Sequence, residues 1–360
     1  MGNKAFRPLH ESPRKQSNSL PRSASSQHCS PERHCVVRRP VHEDAVNCLT
    51  AVRPGIVVSG ARDGILALTN VDTGECLRKW HGHSKEITKT AYRNLGGKNL
   101  LLSGSRDTEI RLWDFRSSDT KQIFGGHEFS VTGLEIITDN TFCSGSRDNS
   151  LRMWDIEKAK CILNRATPRN MVTHICRSKT DCILAQTSED KQLKFWDCRD
   201  LSLVHEFSKK AHIQMHCDFT PDGLYCISCS NGFNGNGCEI TLWDVRQRKL
   251  LRELRGHEET VHCAIYLTQQ VTWKKLILSV SADHSVRIWN MDDGGCMWNE
   301  YVPSGGDLLS AVGFNDGNIV VCGMNATLAH LCLMGRAGKP YLHTTSLQVQ
   351  PCHSQSSYEF

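Results

Sequence analysis

Residues 101–114 read LLSGSRDTEIRLWD, and the chain says nearly the same thing again: FCSGSRDNSLRMWD at 142–155, LAQTSEDKQLKFWD at 184–197 and ILSVSADHSVRIWN at 277–290. The copies recur about every 41 to 47 residues. A unit of that length cannot bury its own apolar face, so the units must pack on one another. Spacing inside the unit is fixed. Six residues separate Asp107 from Trp113, and the same six separate Asp148 from Trp154, Asp190 from Trp196 and Asp283 from Trp289. Around each turn Asp the pattern is that of short strands. Residues 100–105 are apolar and small, Arg106-Asp107-Thr108 is a polar turn, and Ile110 and Leu112 then alternate with polar neighbours at period two.

These motifs resemble the WD-repeat β-propeller family. The family implies four antiparallel strands per blade, with a Gly-His pair about 20 to 26 residues before the turn Asp. Gly82-His83, Gly126-His127 and Gly256-His257 stand there. The resemblance also implies a hydrogen-bonded tetrad in each complete blade: His83, Asp107 and Trp113; His127, Asp148 and Trp154; His257, Asp283 and Trp289. The strand hydroxyl of the set is Ser103, Ser144 or Ser279, with the serine two residues on as the alternative.

The expected fold is an all-β, seven-bladed WD-repeat β-propeller over residues 35–347. A disordered basic Ser/Pro/Arg-rich tail at 1–34 precedes it and a C-terminal tail at 348–360 follows. Blade one is degenerate, with Thr69-Asn70 in place of Trp-Asp. Blades two, three, four and six end at Trp113, Trp154, Trp196 and Trp289-Asn290. Blade five carries an insertion at 233–238, and blade seven, at about 305–347, lacks the signature. The ring is expected to close by pairing strands from the two termini. Residues 35–39 and 341–346 are both candidates for the outer strand.

Charge is unevenly placed. Residues 1–40 hold Lys4, Arg7, Arg14, Lys15, Arg22, Arg33, Arg38 and Arg39 against Glu11 and Glu32, a net +6 in a chain of net +5. A near-neutral body argues against a dedicated nucleic-acid protein. No 18-residue apolar span and no signal-peptide core is present, which predicts no transmembrane segment and a cytoplasmic protein. The 18 cysteines then read as small buried hydrophobes in a reducing compartment.

Several motifs mimic chemistry. His42-Glu43, His127-Glu128 and His257-Glu258 open like a zinc-protease motif, but Val46, Val131 and Val261 stand where the second His belongs. Cys226 and Cys229, near Cys217 and Cys238, have zinc-like spacing, yet positions three apart on a strand face opposite sides. The glycines at 232–237 have no Lys-Ser/Thr after them, so no phosphate loop is expected. The reading is a chain with no catalytic residues, no cofactor and no metal.

Interaction sites are the remaining possibility. Arg62, Arg106 and Arg147 immediately precede three successive turn aspartates, followed by Glu189 in blade four. The resemblance places this position by the central opening, where the arginines could dock an acidic or phosphorylated segment or pair with neighbouring blades. Trp113-Asp-Phe-Arg116 and Trp196-Asp-Cys-Arg199 look like the box of substrate receptors of cullin-based ubiquitin ligases, which implies adaptor contact through Arg116 and Arg199. Ser12 and Ser30 sit in Ser-Pro-x-basic motifs, candidates for phosphorylation. Met1-Gly2 opens an acylation-like sequence, although Phe6 stands where Ser or Thr is wanted; acylation there would give membrane-surface contact. Finally, NMVTH at 170–174, QTSED at 186–190, CISCSNGF at 226–233, GCE at 237–239 and TLWD at 241–244 resemble one member of the family. That likeness implies a non-enzymatic scaffold for cilium assembly and ciliary trafficking, located in the cytoplasm, cilium or basal body, with ciliary trafficking proteins as partners.

Overall fold

The computed structural model describes residues 35–349, except 168, 268–273, 304 and 337–338. Seven antiparallel sheets succeed one another along the chain, and among the described residues there is no helix. Each sheet starts at an inner strand: Val46–Arg53, Ile87–Leu95, Val131–Ile136, Val172–Arg177, Gln214–Phe219, Val261–Leu267 and Leu308–Gly313. These inner strands pack side by side, and Val46–Arg53 lies against Leu308–Gly313, which closes the ring. The architecture is a seven-bladed β-propeller.

Period-two alternation explains how blades become a ring. Leu101 points back into the core between blades one and two, with Trp80 and Trp113. Its neighbours Leu100 and Leu102 point forward, into the core between blades two and three, with Phe142 and Trp154. The second and third strands of a blade are thus buried on both faces, while outer strands such as Lys160–Ala166 and Cys296–Tyr301 stay largely exposed, and the seven core clusters fill the seven interfaces. In blades two to six the tryptophan of the third strand enters the interface with the preceding blade. Blades do not end there, as the sequence suggested: a fourth, outer strand follows each one, such as Thr120–Phe124 after Trp113.

A second device stitches the blades at their inner edge. Asn47 Nδ2 donates to Ile87 O at 2.8 Å, Thr88 Oγ1 to Val131 O, Thr132 Oγ1 to Val172 O at 2.5 Å and Thr173 Oγ1 to Gln214 O at 2.5 Å. In each case the second residue of an inner strand bonds the first residue of the next. Met215, His262 and Leu309 hold the same position in blades five to seven.

Closure uses both termini in different roles. Blade seven takes all four antiparallel strands from the C-terminal side, ending in Lys339–Gln348, so 341–346 lies in its outer strand. Val36–Arg38 then pairs in parallel with Lys339–Gln348 as a fifth strand beyond a complete blade. Arg38 also reaches blade one, donating to Val71 O at 3.2 Å and Asp72 O at 2.8 Å. The N-terminal strand is therefore a clamp across the seam. Deleting residues 1–39 is expected to cost about 1–3 kcal/mol through these lost backbone and guanidinium bonds. Thermal melts against a 1–34 deletion check this; equal melting temperatures would show that the clamp is inert.

Candidate functional site

The polar groups that the blades bury are paired with each other. In blade two, His83 Nδ1 lies 2.8 Å from Asp107 and its Nε2 2.7 Å from Ser103 Oγ, which accepts the Trp113 indole N–H at 2.8 Å. Blade three repeats this with His127, Asp148, Ser144 and Trp154 at 2.7, 2.7 and 2.8 Å, and blade six with His257, Asp283, Ser279 and Trp289 at 2.8, 2.7 and 2.8 Å. Ser103, Ser144 and Ser279 are thus the tetrad hydroxyls. The serines two residues on cap the turn instead: Asp107 N donates to Ser105 Oγ at 3.0 Å.

Each turn Asp serves two purposes. Its Oδ2 takes the histidine, while Oδ1 accepts the backbone N–H two residues on, from Glu109 at 3.0 Å and Ser150 at 2.9 Å. That second bond holds the residue between at positive φ: Gly64 at 75°, Thr108 at 75° and Asn149 at 67°. Glycine meets this demand without strain, whereas Thr108 is β-branched and strained there.

Four blades depart from the set, blade seven by having neither turn Asp nor tryptophan. Blade one keeps His42, bonded to Asp63 at 3.0 Å and Ser59 at 2.7 Å, but Thr69 replaces the tryptophan and its buried hydroxyl has no partner. Sequence reasoning missed His42 because no glycine precedes it. Blade four substitutes a different network. Trp196 donates to Gln186 Oε1 at 2.7 Å, and Gln186 Nε2 donates to Asn170 Oδ1 at 2.8 Å. A buried Lys194 then bridges Asn170 and Asp190. Blade five runs Trp243 to Ser228 at 3.0 Å and Ser228 to Gln214 at 2.7 Å.

Other motifs resolve into packing. Cys226 joins the core between blades four and five, and Cys229 the one between five and six, so the two thiols face apart. All sixteen described cysteines are unbridged. Among the described residues, only His83, Asp107 and Glu109 could offer a cation three clustered ligand atoms. Those atoms already have protein partners, Glu109 being paired with Arg111 at 2.8 Å.

The exposed face is built by one bond repeated seven times. The residue preceding or replacing each turn Asp donates its backbone N–H to the residue before or starting the inner strand: Arg62 to Ala45, Arg106 to Glu86, Arg147 to Ser130, Glu189 to Met171, Asn231 to Ile213, Ala282 to Thr260 and Met324 to Asp307. These residues ring the channel mouth. Arg62 and Arg106 share Glu86, at 3.6 and 2.6 Å, and Arg147 pairs with Glu189 at 2.7 Å. Two of these three bonds cross between blades. The arginines stay exposed, with side chains 42, 64 and 52% accessible, yet they are partly neutralised. The same face exposes two aromatic rings, Phe129 at 61%, next to the Ser130 that accepts the Arg147 N–H, and Phe233 at 67% on the blade-five insertion. The 233–238 insertion leans on blade six, where Gly235 N donates to Glu258 O at 2.7 Å. Arg199 is held by Asp197, at 2.9 and 2.5 Å, whereas the Arg116 side chain is exposed and has no partner among the described residues. Ser12 and Ser30 lie outside the described residues, as does Gly2.

Replacing Asp148 by Ala would orphan His127 and free the turn, at an expected cost of about 1–3 kcal/mol by denaturant unfolding. The tetrads also set an acid limit. Burial opposes ionisation of Asp107, but the bond and charge of His83 prevail and hold it down at about 2. Asp63, Asp148 and Asp283 are likewise lowered, against burial, by His42, His127 and His257. A carboxylate depressed by folding adds stability above its unfolded value of 3.8, and that stability is lost as pH falls through the folded value. Stability should therefore fall steeply from about pH 4 to about pH 2, and Asp148→Asn should shallow the slope. Parallel slopes for the two proteins would contradict this.

Comparison with known proteins agrees with the geometry. The family model described as "WD domain, G-beta repeat" matches residues 74–114, 118–155 and 248–290. Each match begins just before the outer strand of one blade and ends with the third strand of the next, so each sequence repeat straddles two blades. The chain is 26% identical over 275 residues to "Nuclear distribution protein nudF" of Aspergillus niger, covering 71% of this chain and 61% of that one. It is 27% identical over 251 residues to "Uncharacterized WD repeat-containing protein C126.01c" of Schizosaccharomyces pombe, covering 66% and 62%. It is also 26% identical over 243 residues to "Cell division control protein 4" of Saccharomyces cerevisiae, covering 68% and 27%. The match thus spans about three fifths of the length of the first two. By fold the chain is a seven-bladed β-propeller, and three of its segments are similar to the WD repeat.

Proposed function

We propose that this propeller is a non-enzymatic protein-interaction scaffold whose partner docks on the face that rings the channel mouth. The observation that carries the proposal is the exposure there of Phe129, beside the accessible Arg147–Glu189 pair, and of Phe233 on the blade-five insertion. Aromatic and Arg side chains anchor protein interfaces, and a half-neutralised rim favours orientation over bulk charge attraction. The Ser-His-Asp geometry of the tetrads supports a structural role, since each serine is buried inside a blade and already bonded to a tryptophan. Arg62, Arg106, Arg147 and Glu189 become rim contacts of this surface.

The finer reading is a scaffold in cilium assembly and ciliary trafficking, in the cytoplasm and at the cilium. It rests on the resemblance of residues 143–257 to WD repeat-containing protein 31. The names of the relatives point to nuclear distribution and cell division control instead, and the same docking face would serve either role. A ubiquitin-ligase receptor is the second reading. Arg116 is free for an adaptor, which favours it, while Arg199 would first have to leave Asp197.

Affinity purification from ciliated cells tests these readings. A Phe129→Ala, Phe233→Ala double variant is expected to lose about tenfold or more of the specific partners, because anchor truncations cost ≥ about 2 kcal/mol. Its melting temperature should be unchanged, since both side chains are exposed. Ciliary transport proteins in the lost set support the finer reading, and cullin with its adaptor supports the second. Full retention of every partner by the folded variant would overturn the docking face.

A further inference from the structure

Below the exposed face the channel narrows to a cavity of about 140 Å³. Its wall includes the second residue of every inner strand. Thr88, Thr132 and Thr173 have spent their hydroxyl protons on the next blade's backbone, and Asn47 has spent one of its two amide N–H groups in the same way. Three other groups of the wall have donors to spare. The Lys89 ammonium, half-buried, makes no hydrogen bond or ion pair among the described residues, and neither does the His262 imidazole. Ser310 Oγ accepts Leu49 N at 3.3 Å, which leaves its proton free. Lys89, His262 and Ser310 come from blades two, six and seven and line one cavity.

A part-buried cation without a bonded counter-charge is costly, and the acid nearest in effect, Glu135, is drawn by Lys89 without an ion pair between them. Deeper in the channel, Arg93 donates to Ile136 O at 3.0 Å and Arg177 to Ile137 O at 2.6 Å, and no ion pair forms at either guanidinium among the described residues. The acids there are Glu135 and Asp218. Burial pushes Glu135 up to about 7 against the pull of Arg93 and Arg177, and Asp218 up to about 6. Asp307 at the rim attracts His262 without bonding to it. Four cations, Lys89, Arg93, Arg177 and Lys179, therefore face two carboxyls whose ionisation burial resists. His174 and His216, also in the wall, are held neutral by the same burial, and Lys89 reinforces this.

We propose that this throat binds a small oxyanion of the phosphate class, received by the Lys89 ammonium, the His262 ring N–H and the Ser310 hydroxyl. A phosphate offers several acceptor oxygens to three donors that converge from different blades, and it supplies the missing charge. Binding would bridge blades two, six and seven across the channel. It would thus stiffen the arc that lacks the threonine stitches, where Met215, His262 and Leu309 stand.

Full-length protein is titrated with inorganic phosphate, with chloride exchanged to hold ionic strength constant. Melting temperature and phosphorus-31 linewidth are followed together. The wild type should show a saturable rise in melting temperature with half-effect at millimolar phosphate, together with line broadening. Lys89→Met should weaken binding by about tenfold or more, while in chloride alone it melts at or above the wild-type temperature because a stranded cation has gone. His262→Asn should weaken phosphate binding as well. Competition by phosphoserine would show that the site takes a phosphate carried on a larger molecule, and its failure to compete would assign the site to the free ion. An unsaturable rise shared by wild type and Lys89→Met, or unbroadened phosphorus lines, would overturn the proposal.

Discussion

One carboxylate organises each of blades one, two, three and six. The turn Asp holds its own hairpin by accepting a backbone N–H, and with its other oxygen it fixes a histidine from the loop before the inner strand. That histidine fixes a serine in the second strand, which receives the tryptophan of the third. The chain of bonds runs across the blade from loop to third strand and sets the tryptophan in the interface with the preceding blade. Polar groups buried this way are tolerable only because each has its partner, and the same bonds give the blades that carry them one register. The ring is closed by the packing of Val46–Arg53 against Leu308–Gly313.

Most of this was legible in the sequence because it repeats. The interval between Asp and Trp and the alternation of apolar residues reveal strands and turns, and the family resemblance that these motifs carry implies three tetrads. What escaped lies where the repeat is broken. His42 has no preceding glycine, yet Asp63 and Ser59 hold it as their counterparts hold His83. Blade four keeps Asp190 and Trp196 but joins them through Gln186, Asn170 and Lys194, a substitution that no spacing announces. The stitches from Asn47, Thr88, Thr132 and Thr173 also went unread, since a lone polar residue near a strand's start has no signature. The roles of the two termini depended on long-range pairing, which composition does not encode. Parallel addition of Val36–Arg38 outside a complete blade is such a case.

The arginine row shows how geometry changes a sequence inference. Three arginines at one repeat position look like a basic sector when read in a line. In the ring, Glu86 stands between two of them and Glu189 meets the third, so the charge is shared with the neighbouring blades. The same ring brings forward Phe129 and the insertion bearing Phe233, which attracted no notice as isolated residues. The docking face is therefore better described as aromatic with a charged rim than as basic. The channel beneath it carries the less balanced charge, in Lys89 and the guanidinium groups around Glu135.

The central claim is that this one face, and not the outer rim of the blades, meets the partner. Lysine cross-linking of the purified complex, read by mass spectrometry, measures that directly. Lys85 and Lys191 are exposed at the channel mouth, beside the inner-strand starts and turns, whereas Lys121, Lys160 and Lys249 are exposed on outer strands. The account predicts partner cross-links at Lys85 and Lys191, with the three outer lysines linked only within the chain. Partner cross-links confined to the outer-strand lysines would contradict it.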